Sequence, residues 1–197
     1  MECFDKPVWT VRTALRELAR LPPHLGRVAC TSVGWPISSA LRERIMLAVA
    51  AENQCVYCQL AHSAFGQSAG LSDTEVASIL AGMDTAGAAG PAEAAALAYA
   101  RDLARRDFAS RSEPLWAALL EHYSPRQREA IDSTARVMNF ANRFGNTFDA
   151  ARARLAGRCE ETGATRLDLA IVSSVFVAAA AVVAPAVGFL RLRHRAQ

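Results

Sequence analysis

Leu41-Arg42-Glu43-Arg44-Ile45-Met46-Leu47-Ala48-Val49-Ala50-Ala51-Glu52-Asn53-Gln54-Cys55-Val56-Tyr57-Cys58-Gln59-Leu60-Ala61-His62 is the stretch around which the rest of the chain is read. Residues 41–51 are apolar almost all round, the mark of a buried helix. Glu52-Asn53-Gln54 interrupts that run with polar, turn-tolerant residues, so a bend is expected near Asn53. A second helix then starts near Cys55 and carries Cys58 and His62. Four residues apart on a helix, Cys58 and His62 share a face, with Cβ atoms roughly 5–6 Å apart. Glu43 lies ten residues before Asn53 and His62 nine after it, so an antiparallel hairpin brings them together. A carboxylate facing an imidazole facing a thiol is a proton relay: the Glu orients the His, and the His takes the thiol proton. Cys55, at the start of the second helix, also feels the positive end of the helix dipole, which lowers a thiol pKa.

The pattern Glu43, eleven residues, Cys55-x-x-Cys58, three residues, His62 resembles the core motif of the alkylhydroperoxidase AhpD and carboxymuconolactone decarboxylase superfamily. Gly70-Leu71-Ser72-Asp73-Thr74-Glu75-Val76 is similar to that family's next helix start. Met138-Asn139-Phe140-Ala141-Asn142-Arg143-Phe144 resembles a segment of its peroxidase-related members. The resemblance covers roughly residues 10–150. It implies an all-α fold built around the helical hairpin and assembly into homo-oligomers, commonly trimers. It further implies cofactor-free thiol chemistry through a redox-active Cys55–Cys58 disulfide. By that analogy Cys58, activated through His62, attacks a hydroperoxide and Cys55 resolves the sulfenic acid. A dithiol donor, lipoyl-bearing or thioredoxin-like, would recycle the disulfide. The residues alone leave the leading thiol open, because the helix start favours Cys55 and the pairing with His62 favours Cys58. Cys55 is expected to be the thiol more exposed to a partner's disulfide exchange.

One position departs from the pattern. Some AhpD proteins carry a His directly before the second Cys, and here Tyr57 stands there. A phenol cannot replace an imidazole as a base near neutral pH. It can hydrogen-bond a bound oxygen, or pack.

The 197 residues suggest one domain, and 52% hydrophobic content is ample for its core. The net charge of +3 is spread along the chain, and Lys6 is the only lysine among 22 basic residues. No basic stripe of the kind that binds nucleic acid forms. Met1-Glu2-Cys3-Phe4-Asp5-Lys6 lacks the basic-then-apolar order of a secretory signal, and a cytoplasmic thiol pair is expected to be catalytic or redox-sensing.

Along the chain, Val8 to Leu21 reads as an amphipathic helix stopped by Pro22-Pro23, followed by a loop with Gly34-Trp35-Pro36. Ser38 or Ser39 caps the Glu43 helix, and Ser72 with Glu75 forms a capping box for a short helix ending near Gly82. Met83 to Gly90 reads as a loop. Pro91 opens a helix to Arg106, Glu113 to Tyr123 forms another, and Ser124-Pro125 starts a long one that Gly145 is expected to stop. No period-2 strand pattern is evident. The division expected is a redox domain over 1–150, a connecting helix or linker over 151–168, and an apolar helix over 169–190. That last segment has no charge and is long enough to cross a bilayer. Arg166 and Asp168 precede it; Arg191, Arg193 and Arg195 follow. Membrane anchor and oligomer core are both open readings.

Other readings of the motif were weighed. Cys55, Cys58, His62 and Glu43 could supply four zinc ligands, but three of them on one helix make an awkward tetrahedral cage, and no metal is expected. Asn142 and Arg143, polar residues on an apolar helix, are candidates for the active-site mouth or an oligomer contact. Cys3, Cys30 and Cys159 lack a telling partner. Trp35, Trp116, Phe140, Phe144 and Phe148 read as core or interface packing. Besides a peroxidase, the motif admits a redox sensor, membrane-associated or not, whose disulfide alters assembly without turnover. Decarboxylation of a lactone acid needs no C-x-x-C, so the thiol pair argues against it.

Overall fold

The computed structural model describes residues 4–83, 90–107, 110–159 and 161–195. Among these are nine helices and no strand, so the fold is all-α. Cys3 and most of the loop expected over 83–90 lie outside the described residues.

The first two helices are α1, Val11–Leu18, and α2, Pro22–Thr31. Pro22-Pro23 therefore opens a helix where a stop was expected: at the first helical positions a missing N–H is no loss, and the fixed φ suits the helix. α3, Ser39–Glu52, is capped by the Ser38 hydroxyl, which accepts from Leu41 N–H at 3.1 Å. Ile45, Leu47, Ala48, Val49 and Ala50 are wholly buried, so α3 is the central post of the core. α4 (Val56–Ser68) runs back along it, and α5 (Asp73–Leu80), α6 (Pro91–Arg105) and α7 (Glu113–His122) complete that side. Arg44 of α3 ties two of them together, donating to Glu75 at 2.7 Å and Glu93 at 3.2 Å.

α8, Pro125–Leu155, runs straight through Gly145. The expected stop is absent because Gly145 is fully packed in the helix middle, facing Cys55. α9, Arg166–Arg195, then lies along α8 and α4. Its start is tied to α1, where the Asp168 carboxylate accepts from Val11 N–H at 2.8 Å. Its far end meets α5, where His194 Nε2 lies 3.1 Å from the Asp73 carboxylate.

Candidate functional site

The bend between α3 and α4 is a helix stop and a helix start fused into three residues. Asn53 caps α3, and Gln54 takes the left-handed conformation at φ 53°. Gln54 N–H bonds Ala51 C=O at 3.1 Å and Cys55 N–H bonds Ala50 C=O at 3.0 Å, the paired closure of a Schellman motif. Cys55 is at once the last residue of that motif and the N-cap of α4. The sequence thus delivers Cys55 to a helix N-terminus with its side chain beside the free N–H groups of the first turn.

α8 holds the bend in place. Asn146 donates to Asn53 C=O at 2.8 Å, and Asn53 donates through its own amide to the Asn139 side-chain oxygen at 2.9 Å. These two α8 residues are seven apart and share one helical face. Between them Gly145 brings the α8 backbone against the thiol: a Cβ built there would stand 2.6 Å from Cys55 Sγ. Phe176 of α9 and Tyr57 close the same spot. Cys55 is in consequence 0% exposed, while Cys58 is partly exposed. This reverses the expectation that Cys55 would meet a partner first; α8 and α9, which cover it, carry no signal near the motif.

The carboxylate–imidazole half of the relay predicted from spacing is assembled. Glu43 is 1% exposed, and its Oε2 accepts from His62 Nδ1 at 2.7 Å. Arg42 donates to the other oxygen at 2.6 and 2.9 Å, so the buried carboxylate is fully engaged. With Nδ1 committed to Glu43, Nε2 is the nitrogen left to exchange a proton on the Cys58 side of α4. Arg42 was missed as a participant because adjacent residues on a helix usually point apart, and only burial turns the pair inward.

The two thiols share a proton unequally. Hydrogen bonding from the Cys58 thiol holds Cys55 below the usual thiol range against the cost of burial, with Cys58 and Tyr57 backbone N–H groups assisting. The same contact, with burial and the Cys55 charge, pushes Cys58 upward. Where the pair carries a negative charge, that charge is favoured on Cys55 over Cys58.

Tyr57 points away from the relay, into a cluster with Phe148 and Phe176, and its hydroxyl accepts from Arg152 at 2.8 Å. Asn142 is 0% exposed, and neither atom of its amide has a partner among the described residues. Arg143 projects from α8 about half a turn from Gly145. It pairs with Asp107, stacks over Trp9 at 4.6 Å, and lines a cleft of about 440 Å³ with Arg16, Glu17 and Arg136. That cleft contains neither thiol. Among the described residues, no group of three or more His, Cys, Asp and Glu side chains converges as a metal cage.

Residues 28–102 match the model of the carboxymuconolactone decarboxylase family. The matched segment holds Glu43, Cys55, Cys58 and His62 but neither of the helices that close over them. No curated protein matches the chain.

Proposed function

We propose that the chain is a thiol-dependent peroxidase, a reading compatible with the match of residues 28–102 to the carboxymuconolactone decarboxylase family model. The observation that supports this reading is the buried line Arg42, Glu43, His62, its imidazole on the helix whose first turn carries a hydrogen-bonded thiol pair. A carboxylate-held imidazole and a thiolate are what reduction of an O–O bond requires.

Cys58, the accessible sulfur, attacks. As the hydroperoxide enters, the shared proton passes to Cys55 and the charge moves to Cys58. The Cys58 thiolate displaces alkoxide from the terminal peroxide oxygen and becomes a sulfenic acid, and His62 supplies the proton that makes the alkoxide an alcohol. Cys55, its proton drawn off through His62, then attacks the Cys58 sulfur, closing the disulfide and releasing water. Two thiols are oxidised, one peroxide is reduced, and an external dithiol, lipoyl-bearing or thioredoxin-like, restores the pair. Exchange starts at Cys58, since Cys55 is covered. Such recycling suits a reducing, cytoplasmic compartment and a homo-oligomer, a trimer by family analogy.

The test is peroxide consumption by purified protein with excess dithiol. Turnover lost in both Cys55→Ser and Cys58→Ser supports the reading. A wild type that forms the disulfide once and never turns over favours a sensor. A wild type that consumes no peroxide and forms no disulfide overturns the relay.

A further inference from the structure

α9 buries only one edge. Leu169, Val172 and Val187 face the domain with 8% exposure or less, and Phe176 packs beside Tyr57. On the opposite side Leu167, Ile171, Val175, Val182, Phe189 and Leu192 are 44–78% exposed, and Val177 extends the apolar surface on one flank. A partner helix covers a narrow seam and leaves polar flanks. Here the outward half-cylinder is apolar apart from Ser174, whose hydroxyl donates to Ala170 C=O, and no charged residue occurs from 169 to 190. Arginines stand at both ends: Arg166 before the stretch, and Arg191, Arg193 and Arg195 after it. Acyl chains along the cylinder and anionic phosphates at its ends match that distribution.

The helix satisfies the length and composition of a membrane span, yet it does not leave the domain. It is tied to α1 through Asp168 and to α5 through His194, with α8 and α4 packed along its course. Threading it through a bilayer would carry Asp149 and Arg152 of α8 toward hydrocarbon, where charge is strongly disfavoured. Lying in the plane avoids this. α4 also presents Val56 and Leu60, one turn apart and about half exposed.

We propose that α9 seats the chain on an anionic bilayer surface with its axis in the membrane plane, and that hydroperoxides of lipid acyl chains are the substrate class of Cys58. The substrate half rests on the thiol-peroxidase reading; the docking half does not. The acyl hydroperoxide leaves as the acyl alcohol plus water, its two electrons coming from Cys55 and Cys58.

The experiment is co-sedimentation of the full chain with phosphatidylcholine vesicles with and without phosphatidylglycerol, beside Val182→Glu/Phe189→Glu. The wild type should sediment with anionic vesicles and less with neutral ones. The variant, its thermal melt unchanged, should bind more than about tenfold more weakly. A wild type left in the supernatant, or one that pairs with a second copy through this face and ignores vesicles, overturns the docking. For the substrate half, the variant should lose consumption of phospholipid hydroperoxide in vesicles while keeping that of cumene hydroperoxide in solution. Equal consumption of both by the variant overturns it. Vesicle binding without consumption of either peroxide by wild type would sink the peroxidase reading and leave the docking standing.

Discussion

Gly145 illustrates how one missing Cβ shapes this site. Glycine inside a helix costs about 1 kcal/mol relative to alanine, so Gly145→Ala on an open helix should stabilise. Here the added methyl meets Cys55 Sγ at 2.6 Å, with Phe176 and Tyr57 behind it. Net destabilisation of about 1–3 kcal/mol is expected by urea unfolding, together with slower disulfide closure. The thiols make a second prediction at this scale. Thiolate absorbance followed against pH should show one group titrating below the usual ~8.5 and the other staying protonated well above it. In Cys58→Ala the hydrogen bond that chiefly lowers Cys55 is gone, so Cys55 should titrate at higher pH.

At the scale of elements, the α3–α4 bend and the α5 cap can be tested separately. Gln54 holds φ 53°, a conformation that costs a side-chain-bearing residue roughly 1 kcal/mol and glycine almost nothing. Gln54→Gly should raise stability by up to about that amount by chemical denaturation, with the thiol titration unmoved. Around Ser72, the backbone N–H of that residue, then Arg44 and the Ser72 hydroxyl, push the Glu75 carboxyl down to about 2. A carboxyl depressed in the fold contributes stability above its unfolded value near 4.5, and that contribution is lost as pH falls toward 2. Glu75→Gln should therefore flatten this part of the acid limb of a stability–pH curve, and the loss should be small because solvent reaches the partly exposed group. Both elements were legible beforehand: the polar triplet Glu52-Asn53-Gln54 announced the bend and Ser72-x-x-Glu75 the cap. Gly145 was not, since a glycine that ends a helix and one that admits a neighbour look alike until the neighbour is known.

Across the whole molecule, the all-α architecture and the meeting of Glu43 with His62 followed from local signals, namely helical period and spacing about a bend. What stayed hidden depends on contacts between distant segments. Asn139 and Asn146 reach the bend from 86 and 93 residues away, and Phe176 covers Cys55 from the far end of the chain. Burial of Cys55 arises from that enclosure, so no reading of the motif could reveal which thiol faces solvent. The claim that unites the site is that Cys55 and Cys58 act as one two-electron unit. Fully reduced protein should be given one equivalent of cumene hydroperoxide anaerobically, without added dithiol, and then peptide-mapped. The account predicts one peroxide reduced for two thiols lost, both found in a Cys55–Cys58 disulfide, with the exposed Cys30 still reduced. Peroxide left intact, or oxidation confined to Cys30, would contradict it.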